Sequence, residues 1–280
     1  MLVIDCHAHI YSPDEKRYPV RKDPLRPPPG KGSVEHLRQE SRTAGVTAVR
    51  AIQTLTFYNF DNSYLCDSTK ANPDWVCGVA TLDPDNPESP ALLRRYVREF
   101  GVRSLRSIPS GARKTFDDPG VRALWKVVAD EGITVDIFLM QPAMVPSASK
   151  LIADFPRLTI GFCHCMDLKP GPALDENLKT VLRLSRFKNL HPKVDFLGTG
   201  SNLKYPCQDL HHAVLEIIHT YGAERCWWGS CYPCELWTPK ISYAENLRLF
   251  SEALPLKDSE RRMILGENAR RIWFPKLRVE

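Results

Sequence analysis

The sequence predicts an α/β protein folded as one (β/α)8 barrel, the TIM-barrel architecture. Short β-branched runs alternate with longer amphipathic stretches along the whole chain, the pattern of a parallel sheet covered by helices. The 280 residues suffice for eight such units, and no linker-like segment divides them, so residues 1–280 read as a single domain. The first strand-to-helix turn, Asp5-Cys6-His7-Ala8-His9, holds no glycine. A doubly wound open sheet, the competing architecture, usually carries a Gly-rich turn at that point.

The elements follow in order. The first strand is expected over residues 2–5. Residues 12–32 contain Pro13, Pro19, Pro24, Pro27, Pro28 and Pro29. Proline lacks the amide donor that helix interiors and central strands need, so this stretch is a loop. A loop of that length in a compact domain is usually functional, often a lid. Ser33 is a start signal for a helix over 33–44, and strands two and three follow over 46–52 and 75–80. A helix over 91–100 leads to the fourth strand over 102–108. Pro119-Gly120 opens a helix over 121–130, ahead of strands five (133–139) and six (158–162). The seventh strand falls at 191–196, a helix at 211–221, the eighth strand at 225–228 and a closing helix at 259–273. There is no internal repeat, and only the proline-rich loop is compositionally biased.

Composition narrows the function classes. With 43% hydrophobic and 25% charged residues the chain is an ordinary globular protein. The net charge of +5 is spread without a long basic run, which argues against nucleic acid and leans slightly toward an anionic small molecule. Leu2-Val3-Ile4 is too short for a signal segment, and no 18-residue apolar stretch occurs, so a cytoplasmic protein with no membrane partner is expected. The nine cysteines are scattered and read as reduced thiols.

His7 and His9 are the strongest chemical signal. Residues two apart on a strand point to the same side, so both imidazoles face one cavity. They lie where the first strand ends, at the working face of a barrel, and can share a metal ion or bind a substrate carboxylate.

Ile4-Asp5-Cys6-His7-Ala8-His9 resembles the opening of the amidohydrolase superfamily, and further segments resemble its amidohydrolase-2 type. Gly101-Val102-Arg103-Ser104-Leu105-Arg106 is similar to the strand-four motif, and Gly161-Phe162-Cys163-His164 to the strand-six segment, normally Asp-His. Gly229-Ser230-Cys231-Tyr232-Pro233 resembles the Gly-Ser-Asp-aromatic-Pro motif after strand eight. Gly266-Glu267-Asn268-Ala269 resembles the family's ending, and the similarity runs over residues 2–275. The resemblance implies one of two chemistries. Nonoxidative decarboxylases and hydratases hold a metal with the His-x-His pair, a histidine after strand five and the strand-eight Asp. The sugar-lactone and 2-pyrone-4,6-dicarboxylate lactonases are reported to need no metal and use that Asp as the base. Strand five here, Val135-Asp136-Ile137-Phe138-Leu139-Met140-Gln141, offers no histidine, and 57–65 also looks like the lactonase group, so the lactonase-like branch fits better.

Cys231 departs from both groups. A thiol has an unperturbed pKa of about 8.5 and is mostly neutral at pH 7, whereas an aspartate is an anionic base. Cys231 could complete a His7/His9/Cys231 metal site, attack substrate as a nucleophile, or mark a barrel that has lost hydrolysis. His164, at the end of strand six, is expected to act as general acid or base. Arg106, nearer the strand end than Arg103, is expected to clamp a substrate carboxylate, with Gln53 as a second substrate contact. Lys193 and Asp195 share a strand face and read equally as a structural ion pair, and Trp227-Trp228 reads as core packing. A four-thiol zinc site of Cys163, Cys165, Cys231 and Cys234 would require strands six and eight to converge across strand seven.

The expectation is a hydrolase acting on a small anionic lactone or related carbonyl compound, with one divalent metal (zinc first) or none. Its rivals are a metal-dependent nonoxidative decarboxylase of a small aromatic or unsaturated acid and a binding barrel without turnover. Fold analogy supports the class, not the substrate, and says nothing of oligomeric state.

Overall fold

The computed structural model describes residues 1–277. Seven parallel strands pair in sequence order, β1 (Ile4–His9), β2 (Ala48–Ile52), β3 (Val76–Thr81), β4 (Ser104–Ser107), β5 (Thr134–Ile137), β6 (Ile160–Phe162) and β7 (Leu190–Pro192). The fold is a TIM barrel. Its closure is irregular: the segment expected to be strand eight forms only isolated bridges, Lys193 with Trp227 and Ala8 with Tyr232. Main-chain hydrogen bonds still tie this segment to both edges, through Trp227 N to Pro192 O (3.0 Å) on one side and Cys6 N to Trp228 O (3.0 Å) on the other. Arg225, expected to begin the strand, instead lies in a 3₁₀ turn.

Other differences have local causes. β1 runs on to His9, and three steps along it (Asp5 to Ala8) face two along β2 (Val49 to Ala51), an inserted residue that bends the strand. The seventh strand stops at Pro192, not 196, because the chain turns at Asp195 (φ −94°, ψ 0°) into a short helix, Phe196–Gly200. The closing helix is three pieces, Asp258–Arg262, a wider π turn Met263–Glu267, and Asn268–Trp273.

The helix-start signals work as their chemistry dictates. The Ser33 hydroxyl accepts from His36 N to cap Val34–Thr43, and Asp118 accepts from Gly120 N to cap Pro119–Asp130. Helices Ser63–Ala71, Ser89–Phe100, Val145–Asp154, Leu174–Arg183 and His211–Tyr221 also cover the sheet, without a capping side-chain bond. The main core lies between strands and helices, and a smaller cluster around Trp227, Trp273 and Ile4 plugs the floor of the barrel. Among the described residues no helix is long and apolar enough to cross a membrane.

Candidate active site

Four side chains from four strand ends meet inside the barrel. His7 comes from β1, His164 from the turn after β6, Asp195 from the turn after β7, and Cys231 from the closing segment. One donor atom from each lies within 4.8 Å of all the others. Two of these residues sit on backbone that L-residues seldom adopt: φ is 54° at His164 and 56° at Cys231. The Cys231 kink is held by hydrogen bonds on both sides. Its amide donates to His7 O (2.8 Å), while Ser230 Oγ donates to Asp5 Oδ2 (2.5 Å) and Ser230 N to Asp5 Oδ1 (2.9 Å). Gly229 must be glycine, since a Cβ there would stand 2.6 Å from His7 Cβ. The Asp5, Gly229 and Ser230 positions therefore exist to set Cys231 against His7.

The protonation pattern follows from the contacts. His9 Nδ1 lies 3.1 Å from the Ile52 carbonyl, which can only accept, so Nδ1 carries the proton. Burial, reinforced by Arg106, pushes the His9 pKa well below the ordinary histidine value, so the ring is neutral and its Nε2 is bare. His7 Nε2, at 3.2 Å from that atom, must then donate to it. His7 is also held neutral, first by burial and then by Lys193, so its Nδ1 is bare in turn. That bare nitrogen stands 3.1 Å from Asp195 Oδ2, while Asp195 Oδ1 stands 3.2 Å from His164 Nδ1. Neither Asp195 oxygen has a hydrogen-bond partner, although both are buried. His7 Nδ1 has only a long approach from Lys193 Nζ (3.5 Å) and the Asp195 oxygens have no partner, and under-paired acceptors packed against one another suit a cation. The donor set of two imidazoles, one carboxylate and one thiol is the set that zinc takes. The residues fit a metal.

Cys231 Sγ lies 3.9 Å from His164 Nδ1 and 3.8 Å from Asp195 O. Burial, then the Asp195 charge, drives its pKa well above the free-thiol value, so it is a neutral thiol until a cation joins it.

A different charged group lies beneath. Lys193 Nζ donates to Asp136 Oδ2 (2.5 Å), and Arg50 Nη2 donates to Asp136 Oδ1 (3.1 Å). Burial opposes every charge here, yet the two cations outweigh it and hold the Asp136 pKa below its ordinary value, while Asp136 holds Lys193 up. Gly161 makes the room, since a Cβ there would meet Asp136 Oδ1 at 2.4 Å. The Arg50 guanidinium also stacks over Trp273 at 3.7 Å.

A cavity of about 220 Å³ opens above the cluster. His9, His164 and Cys231 reach it from below, Arg106 from one side, and Leu55, Ile108, Phe138 and Trp237 supply apolar wall. Arg106 is fixed by two bonds, Nε to Thr81 Oγ1 (3.0 Å) and Nη2 to Gln53 O (2.8 Å). No carboxylate among the described residues pairs with it, and burial lowers its pKa.

The amidohydrolase family model matches residues 4–274. The chain belongs to the amidohydrolase family. No functionally curated protein matches its sequence. Solved structures similar to this amidohydrolase include a Pseudomonas putida protein described as a candidate 2-pyrone-4,6-dicarboxylic acid hydrolase (23% identity, 99% of each chain covered, TM-score 0.77). A zinc-bound amidohydrolase from Burkholderia multivorans is similar at 17% identity, 98% and 99% coverage and TM-score 0.75. So is 5-carboxyvanillate decarboxylase from Sphingomonas paucimobilis, at 16% identity, 97% and 98% coverage and TM-score 0.65. At these identities the likenesses show the barrel.

The amidohydrolase's residues fall partly where the sequence placed them. His7, His164 and Cys231 come together, and Arg106 faces their cavity while Arg103 is exposed at the other end of β4. Of the expected trio of His7, His9 and Cys231, His7 and Cys231 lie in the four-residue group with His164 and Asp195, and His9 stands beside it, with Nε2 3.2 Å from His7 Nε2 and Nδ1 3.1 Å from Ile52 O. Gln53 does not line the cavity. Its amide nitrogen donates to Asn59 O (2.5 Å) and Asp61 O (3.0 Å), pinning a loop. Lys193 pairs with Asp136 and not with Asp195. The four thiols do not gather, for Cys165 Sγ bonds Lys193 O and Cys234 Sγ bonds Ser230 O. The proline-rich loop lines a separate cavity with Tyr11 and Phe57 and contributes nothing to the walls above the cluster. Asp195, Asp136 and Arg50 escaped notice as site residues. The available signal was a charged residue inside an apolar strand run, as in Val49-Arg50-Ala51 and Val135-Asp136-Ile137.

Proposed function

We propose that this amidohydrolase is a hydrolase that opens a small anionic lactone or related cyclic carbonyl compound, using a divalent metal, zinc first. The observation that carries the reading is that one cavity is bounded both by the cation-seeking cluster and by a buried guanidinium with no acid partner. Catalytic zinc keeps three protein ligands and an open position. His7, Asp195 and Cys231, all buried, would supply the three, and Cys231 would act as a thiolate ligand, not as a nucleophile. When bound, the metal would supply Lewis-acid polarisation of the substrate carbonyl.

The chain's own groups do the rest. Arg106 holds the substrate carboxylate through charge-assisted hydrogen bonds. His164, 13% exposed on its side chain and open to the cavity, takes a proton from the attacking water. Water adds to the acyl carbon, the ring C–O bond breaks, and His164 returns the proton to the departing oxygen. The product is a hydroxy acid with a new carboxylate, which releases one proton at neutral pH. Small-molecule binding in a barrel mouth needs no nucleic acid or membrane.

A second reading, nonoxidative decarboxylation, is favoured by the apolar wall around one cation, which suits a small ring acid, and by the similarity to 5-carboxyvanillate decarboxylase. A panel of carboxylated lactones and aromatic acids, followed by proton release and carbon dioxide release, separates them. The account expects proton release from at least one lactone, slowed about 100-fold or more in Cys231→Ala. Carbon dioxide without proton release from any lactone selects the decarboxylase, and neither product selects a binding barrel.

A further inference from the structure

We infer that the cavity selects a monoanion: one carboxylate on a flat, otherwise apolar single ring, with Phe138 and Trp237 setting the ring size. The inference rests on the reading above for where the substrate lies, and goes on to say which substrates enter.

Charge is the first argument. Arg106 is the one lysine or arginine among the residues lining the cavity. Its Nε and Nη2 are already bonded to Thr81 and Gln53, which fixes the guanidinium plane, and Nη1 makes no hydrogen bond among the described residues. The anchor is thus oriented and has donors left for a single carboxylate. The other interior cations, Arg50 and Lys193, are fully buried beneath the cavity and bonded to Asp136. Away from the metal cluster, where the scissile carbonyl would lie, a second carboxylate would meet Leu55, Ile108 and Phe138 or the neutral hydroxyls of Thr54, Thr56 and Thr199, and no second cation there offsets its desolvation.

Size is the second argument. About 220 Å³ falls below the ~300–1,000 Å³ usual for small-molecule sites, so the space suits one ring with short substituents. Phe138 stands beside the anchor, its ring centroid 5.6 Å from the Arg106 guanidinium. Trp237 closes the side next to His9, with ring centroids 5.6 Å apart, and its Nε1 donates to Tyr11 Oη (3.0 Å). That bond keeps the indole from swinging away to admit a larger ligand.

Isothermal titration of the full-length protein with benzoate, isophthalate, benzamide and 2-naphthoate tests the inference without turnover. Benzoate is expected to bind at least about tenfold more tightly than the neutral benzamide and than the dicarboxylate isophthalate. Arg106→Gln should erase the preference for benzoate over benzamide, and Trp237→Ala or Phe138→Ala should improve 2-naphthoate about tenfold. Isophthalate binding as tightly as benzoate in the wild type, which needs no variant to fold, overturns the inference. So does an Arg106→Gln protein, folded by thermal melt, that keeps the benzoate preference. A protein with the expected preference that opens no lactone would overturn the hydrolase reading and leave this one standing.

Discussion

The barrel interior holds two charged groups one above the other, and they are built on opposite principles. On the floor, Arg50, Asp136 and Lys193 share complementary charges, and both Asp136 oxygens receive donors. At the mouth, His7, His164, Asp195 and Cys231 bring one potential ligand atom each within 4.8 Å of the others, and neither Asp195 oxygen has a hydrogen-bond partner. The floor gives its carboxylate a donor at each oxygen and leaves unpaired only cationic N–H groups, Arg50 Nε and Nη1, whereas the mouth leaves its carboxylate itself unpaired. A fold can afford the second arrangement because the first is rigid: Lys193 Nζ, anchored by Asp136, stands 3.5 Å from His7 Nδ1 and helps keep that imidazole neutral and in place.

The comparison predicts where substitutions strike. The largest effect should come from Asp195→Asn, which replaces an anionic donor at the mouth. Activity should fall by more than the 10- to 100-fold typical of losing an outer partner of a metal site, with little change in the denaturation midpoint. On the floor the balance reverses. Asp136→Leu leaves two buried cations without their carboxylate and should cost about 3–5 kcal/mol in urea unfolding, whether or not metal is added. If metal alone restored that loss, the two groups would not be separate.

A smaller effect concerns His191, which stacks flat on Trp227 (4.8 Å between centroids, 2° between planes) at the floor. Burial lowers its pKa to about 4. The unfolded chain takes up a proton near the ordinary histidine pKa, while the folded chain resists until about pH 4. Stability from this group is therefore full above about pH 6.5 and is lost as pH falls toward 4, by about 3 kcal/mol. His191→Phe keeps the stack and should flatten the pH dependence over that window. An unchanged slope would mean that the ring titrates normally. The smallest expected change is in Gln53→Ala, whose amide only pins the 59–61 loop: affinity for a carboxylate ligand should shift less than in Arg106→Gln, because the Gln53 carbonyl that holds Arg106 survives the substitution.

Much of this was legible in the sequence, for identifiable reasons. The order of strands follows from apolar runs, and His7, His164, Arg106 and Cys231 lie at strand ends, where barrel geometry makes side-chain direction readable. Asp195 was visible as a residue but not as a partner, because the turn at the end of β7 redirects it. His9 stands beside the four-residue group with its Nδ1 held by a carbonyl on the neighbouring strand, a contact that spacing along β1 cannot show. Gln53 was drawn off by the loop that follows it. The eighth strand was blurred by the very features that position Cys231, a positive φ and the Ser230–Asp5 bonds, which interrupt regular pairing.

The central claim is that the mouth cluster binds a cation, and elemental analysis tests it most directly. Wild type, Asp195→Asn and Cys231→Ala would be purified side by side, exposed to zinc and freed of excess metal. The account predicts near-stoichiometric zinc in the wild type and marked loss in both variants. A wild type that retains no metal, or an Asp195→Asn protein that retains as much as the wild type, would contradict it.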